Sequence, residues 1–279
     1  MAAAFTARRG RCYAPESLAG SLEAVEVASR KRVDLVIPVL NEAHVLENSV
    51  AQVRQYLTQS GFPHDWRIVI VNNGSTDATG EIAARLAARH PDVACHNLTR
   101  RGRGLALRHA WTLSSADAVC YMDADLSTEL THIQPLIGAI LDEQFDLAIG
   151  SRLMPGSRTG RSPKREFISR AYNLIVRLAF RTQVRDAQCG FKAASGRTVK
   201  SVVPRIVDDG WFFDTELLVL AEANGMRIKE IPVTWHEDPD SRVRIISTAF
   251  EDLKGIVRVW LTLRRHRRGQ EAPADGRVA

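Results

Sequence analysis

The chain has 279 residues, 38 Lys+Arg against 32 Asp+Glu, and a formal net charge of +6. Its 45% hydrophobic and 25% charged residues are ordinary globular composition, which excludes fibrous and disordered classes. No apolar run approaches the roughly 18 residues that span a bilayer, the first twenty residues have no apolar signal core, and Cys12, Cys95, Cys120 and Cys189 lack zinc or CxxC spacing.

In chain order, residues 1–31 read as a flexible leader, with a short helix around Leu22–Ala28. A regular alternation begins at Val33. Strands are expected at Val33–Val39, Arg67–Val71, Val93–Leu98, Ala116–Met122 and Phe145–Gly150. Helices are expected between them, at Glu42–Gln59, Ala78–His90, Gly104–Ser114 and Leu130–Leu141. Beyond Gly150, residues 152–165 read as a mobile loop and Phe167–Phe180 as a helix. A helix follows around Trp211–Leu220, then a strand at Arg227–Trp235 and a last helix at Ser247–Leu263. Strand–helix alternation predicts an α/β fold, a mostly parallel sheet with helices on both faces. The polar clusters all fall at the carboxyl ends of strands, where ligands bind in such sheets.

Asp123-Ala124-Asp125 is the sharpest of these clusters. Residues i and i+2 of a strand share a side, so two carboxylates there can face one ligand. Two neighbouring anions call for a cation, and a hard Mg2+ or Mn2+ bridging to a diphosphate supplies it. A solvated turn is the plain alternative. Asn72–Asp77 offers close backbone approach at Gly74 and a helix start that favours anions, or else a simple capping turn. Pro38-Val39-Leu40-Asn41-Glu42 closes the first strand, where Pro38 stops the ladder. Arg100–Gly104 is basic and Gly-rich before a helix, without P-loop spacing. Asp214 and Glu216 head an apolar helix after three aromatics, as acid–base groups or as helix-start carboxylates.

The charge is uneven. Residues 152–185 hold nine basic side chains against one acid, and residues 254–268 hold six against none, so the rest of the chain is net acidic. Nucleic acid, a membrane or a phosphorylated substrate suits such segments. Their interleaved apolar residues favour an anionic membrane surface over nucleic acid, and a solvated basic face over a core helix is the plain alternative.

These clusters, in this order, resemble family 2 glycosyltransferases with the GT-A fold, over about residues 33–255. Asp-Ala-Gln-Cys-Gly-Phe-Lys (186–192), Trp-Phe-Phe-Asp-Thr-Glu-Leu-Leu (211–218) and Asp240-Ser241-Arg242 look closest to the dolichyl-phosphate β-glucosyltransferase branch. The resemblance implies a GT-A domain over 32–265, with 32–150 as the nucleotide-sugar half, 151–265 as the acceptor and membrane-facing half, and 266–279 as a disordered basic tail. It places Pro38, Leu40, Glu42, Asn73 and Asp77 with Asp123, Ala124 and Asp125 at the nucleotide-sugar. It implies Mg2+ or Mn2+ on Asp123 and Asp125, with Ser127 as a further contact. Arg152, Arg165 and Lys192 match residues that hold the lipid phosphate or leaving diphosphate, while Asp214 and Glu216 face the sugar or acceptor. Asp125, Asp214 and Arg152 are then the catalytic candidates.

The implied reaction moves a hexose, with inversion, from a nucleotide-sugar (UDP-glucose) to a polyprenyl phosphate. A GDP-mannose or UDP-N-acetylhexosamine donor, or a soluble hydroxyl acceptor, is the alternative. Asn at 72 and 73 where relatives often have Asp leaves the base open, and Ser127 where mannose synthases often have Gln weighs against mannose. The expected location is cytoplasmic and peripheral at the inner membrane face, with room for a membrane-protein partner and no nucleic acid.

Overall fold

A computed structural model describes residues 30–236 and 245–270, with side chains for 30–236 and 250–265. The Leu22–Ala28 helix, most of the leader, Asp240-Ser241-Arg242 and residues 271–279 lie outside the described residues.

The first half follows the expected alternation. β1 (Arg32–Val39), α1 (Leu46–Gln59), β2 (Asp65–Asn73), α2 (Thr79–Arg89), β3 (Val93–Leu98), α3 (Arg103–Leu113), β4 (Ala118–Met122), α4 (Ile133–Leu141) and β5 (Leu147–Ser151) succeed one another. β6 (Arg158–Gly160), α5 (Pro163–Phe180), β7 (Phe191–Ser195), α6 (Gly196–Ser201), α7 (Phe213–Ala223), β8 (Ile228–Pro232), β9 (Thr234–His236) and α8 (Ile245–Gln270) complete the order. Seven strands form one sheet in the order β3-β2-β1-β4-β7-β5-β8, and β6 pairs with β9 in a two-stranded ribbon. All neighbours in the large sheet are parallel except β7, which runs antiparallel between β4 and β5.

Alternating side chains of β1 sort the core onto two faces, as the strand period requires. Leu35, Ile37 and Val39 pack with α1, α2 and α4, while Val36 joins the opposite core of Trp111, Phe213 and α7. Pro38 does limit the ladder, but on one side. β1 stays paired with β2 to Val39↔Asn72, whereas its pairing with β4 ends at Val36↔Tyr121.

Besides β7 and α6, where no element was expected, the second half departs from expectation in three places. The 152–165 stretch is not all loop, because β6 lies within it and Ser162 caps an α5 that starts at Pro163. Proline suits that first helical position, where its missing N–H costs nothing. The 227–235 strand breaks at Val233, whose N–H bonds Ser151 and whose carbonyl takes Arg158, so β8 stays in the sheet while β9 peels off to β6. α8 continues to Gln270, five residues into the expected tail. No helix among the described residues is long and apolar enough to cross a membrane.

Candidate active site

The pleat of β4 stops at Met122, so a turn, not strand periodicity, sets the relation of Asp123 to Asp125. Leu126 takes φ 53°, and its N–H bonds the Asp123 carbonyl. Asp125 is exposed and accepts the Ser127 N–H at 2.9 Å. The Ala124 carbonyl is pinned by Ser49 Oγ at 2.5 Å, which ties the turn to α1. Ser127 is buried, and its carbonyl takes the His236 N–H, so the turn is also tied to β9.

Asp123 is 37% exposed and meets Arg103 Nη2 at 2.8 Å. Its other oxygen lies against Gly190. A Cβ there would sit 1.9 Å from Asp123 Oδ2, so a side chain at 190 would push this carboxylate out of its present place. Arg103 was hidden within the basic Arg100–Gly104 run, and it proves central. Its Nη1 bonds Asp214 Oδ2 at 2.6 Å, and its guanidinium lies 4.9 Å from the Tyr121 ring centre and 5.1 Å from that of Trp211. Burial disfavours this cation, but Asp123 and Asp214 outweigh that and raise its pKa.

Asp214 is 2% exposed. Besides Arg103 it holds Lys192 Nζ at 2.8 Å and the Tyr121 hydroxyl. Burial would push its carboxyl up, yet Lys192 and Arg103 hold it below the usual carboxylate range. This carboxylate is buried among three donors, Arg103, Lys192 and Tyr121. Glu216 likewise turns inward, accepting the Asp208 N–H and Arg258.

The three basic candidates are not gathered in one open anion site. Lys192 is 0% exposed and donates to Asp214 and to the carbonyls of Ala187 and Cys189. Arg152 makes three hydrogen bonds to buried Asp186. Burial would raise the Asp186 carboxyl, but Arg152 brings it down to about 2. Arg165 stands in the first turn of α5, and its N–H is capped by Ser162.

The nucleotide-side candidates form a braced edge. Asn73 Oδ1 takes the Gly102 N–H at 2.7 Å and so fixes the loop that delivers Arg103. Asn72 bonds Asn97 and the Ser75 N–H. Asp77 accepts from the N–H and hydroxyl of Thr79, and Thr79 Oγ1 takes the Glu42 N–H at 2.8 Å. The Asp77 carboxylate thereby joins the start of α2 to the β1–α1 turn, as the capping reading anticipates. Leu40 and Glu42 lie half-buried beside it.

A model of the family described as Glycosyl transferase family 2 matches residues 34–202. Glycosyltransferase AglD of Haloferax volcanii is 38% identical over 242 residues, covering 86% of this chain and 39% of that protein. Dolichyl-phosphate beta-glucosyltransferase ALG5A of Trichomonas vaginalis is 30% identical over 221 residues, covering 76% and 68%. The chain thus spans well under half of AglD, and 65% of the related ALG5C. A solved structure of glucosyl-3-phosphoglycerate synthase from Mycobacterium tuberculosis with Mn2+, UDP and phosphoglyceric acid shares the fold, with a TM-score of 0.61 at 20% identity, covering 85% of this chain and 80% of that one. Sheet order, the strand-end site and these likenesses agree: the chain belongs to glycosyltransferase family 2.

Proposed function

We propose that this chain transfers a hexose, UDP-glucose being the donor, to a polyprenyl phosphate, with inversion at the anomeric carbon. The observation that carries the reading is the Asp123–Arg103–Asp214 array beside Asp125 at the carboxyl end of β4. The relatives named as dolichyl-phosphate β-glucosyltransferases supply the acceptor class.

Asp123 and Asp125 offer hard oxygen donors in one turn, which suits Mg2+ or Mn2+. Among the described residues no three His, Cys, Asp or Glu side chains cluster around one point, so diphosphate oxygens would complete the shell. Such an ion, with Ser127 as a further contact, would neutralise charge on the leaving diphosphate.

A phosphate oxygen of the acceptor attacks the anomeric carbon. The bond from that carbon to the diphosphate oxygen breaks, and its electron pair leaves with the nucleoside diphosphate. A phosphate monoester has its second pKa near ~6 and is largely ionised at neutral pH, so no side chain need remove a proton. That agrees with an Asp214 already paired on every side. A hydroxyl acceptor would require a base that Asp214 does not supply. Catalysis rests on positioning and on charge set out in advance around Arg103. The reading also places the protein peripherally at the inner membrane face.

Nucleoside diphosphates screened by thermal shift, with and without Mn2+, test the donor side. One of them should raise the melting temperature only with Mn2+, and Asp123→Asn should abolish the shift. Equal stabilisation of Asp123→Asn would overturn the site.

A further inference from the structure

Arg161, the residue before the Ser162 cap of α5, has a side chain only 7% exposed. Among the described residues its Nη1 is buried without a hydrogen-bond partner. It faces Glu166 Oε2 at 3.8 Å, and that oxygen is also buried and, among the described residues, without a hydrogen bond. Glu166 spends its other oxygen on Arg170 at 2.6 Å. Arg161 lies 4.6 Å from the centre of the Trp235 ring, and Arg152 lies 5.6 Å from the same ring. Burial, then the neighbouring Arg152, push the Arg161 guanidinium down to about 10. Asp186 and Glu166 offset that only in part.

Leaving a buried donor without a hydrogen bond is costly to the fold. Asp186 helps only in part, because Arg152 already holds both of its oxygens. An anion entering between Arg161 and Glu166 would meet the buried Nη1, a second guanidinium nearby and the positive end of an 18-residue helix. The place is also tied to the metal-candidate turn. Thr159 of β6 pairs with Trp235, Trp235 bridges Thr128, and His236 bonds the Ser127 carbonyl.

We propose that Arg161, set against Trp235 at the start of α5, is the guanidinium that binds the phosphate group of the acceptor. Arg152 and Lys192, with their carboxylates already in place, hold the frame around it. The proposal rests on the phosphate-acceptor reading above, but its test needs no sugar transfer. Glu166 opposes added negative charge, so its carboxylate weakens phosphate binding while keeping Arg161 in place.

Isothermal titration of the full chain without donor tests this, using a short isoprenyl phosphate, inorganic phosphate, and phosphatidylglycerol vesicles as separate probes. Both phosphates should bind the wild type. Arg161→Gln should weaken both about tenfold or more, the range expected for losing a hydrogen bond to a charged group. Arg161→Lys should lose less, and Glu166→Gln should bind several-fold tighter. Arg177→Gln, on the same helix, should bind like wild type. Unchanged phosphate binding in Arg161→Gln overturns the proposal. So does a loss seen only with vesicles, which assigns the charge to the membrane surface, and so does an equal loss in Arg177→Gln. If Arg161→Lys loses UDP–Mn2+ binding to the same degree as phosphate, Arg161 is structural and the proposal fails. Phosphate binding that persists in a chain inactive with every donor overturns the reaction and leaves this site standing.

Discussion

Lys192 carries its charge where water does not reach, and Asp214 is the reason it can. The pair is joined at 2.8 Å, with the Cys189 and Ala187 carbonyls taking the remaining ammonium protons. Removing one partner of such a pair leaves an uncompensated buried charge. Lys192→Met should therefore lose about 3–5 kcal/mol of stability in urea unfolding, and adding Asp214→Asn should recover part of it. No loss in the single variant would show that Arg103 alone neutralises Asp214. The Asp123/Asp125 pair, Asp214 and the 100–104 run were legible in the residues themselves, and Lys192 only through the family resemblance. Their partners were not. Lys192 and Asp214 lie 22 positions apart, Arg103 and Asp214 lie 111 apart, and only the antiparallel β7 brings the first pair together. Arg161 gave no separate signal among the nine basic residues of 152–185, because burial and a missing hydrogen bond are properties of the fold.

The elements before Gly150 were legible because each strand and helix carries its own period and punctuation. β7 was not, since Phe191–Ser195 is short, contains Lys192 and inserts between strands far from it in the chain. α8 docks by close approach, and a Cβ on Gly255 would lie 2.4 Å from the Phe212 ring. The same helix carries Asp252, which is buried and accepts Gln188 at 2.9 Å. Burial, then the charges of Asp208 and Asp214, push the Asp252 carboxyl up to about 7. The folded chain therefore binds a proton that the unfolded chain releases near ~4. Stability should fall as pH rises from about 4 to about 7, and level off above. Asp252→Asn should flatten that decline in melting temperature measured across pH 4–8. An unchanged slope would mean that other groups set it.

Across the whole molecule the two basic segments become neighbours, because α5 packs on α8. Between their charges they expose large apolar side chains, Phe167 at 74% and Leu178 at 73% on α5, with Phe250 and Trp260 on α8. Basic side chains lie over the latter two rings, Lys254 at 4.4 Å from Phe250 and Arg264 at 4.2 Å from Trp260. Basic, aromatic-bearing helices of this kind suit an anionic lipid surface. Neutralising Arg170, Arg177 and Arg181 together should reduce flotation with anionic vesicles several-fold and leave UDP–Mn2+ binding unchanged. Equal loss of both would mark α5 as core structure. The uneven charge was visible in the sequence; that α5 and α8 pack against each other required the fold. The reaction itself is tested most directly by incubating the purified chain with radiolabelled UDP-glucose, Mn2+ and a short polyprenyl phosphate. A lipid-linked, β-configured glucosyl phosphate that disappears with Asp123→Asn is the predicted result. No lipid product from any nucleotide-sugar, or transfer to a soluble hydroxyl acceptor instead, would contradict it.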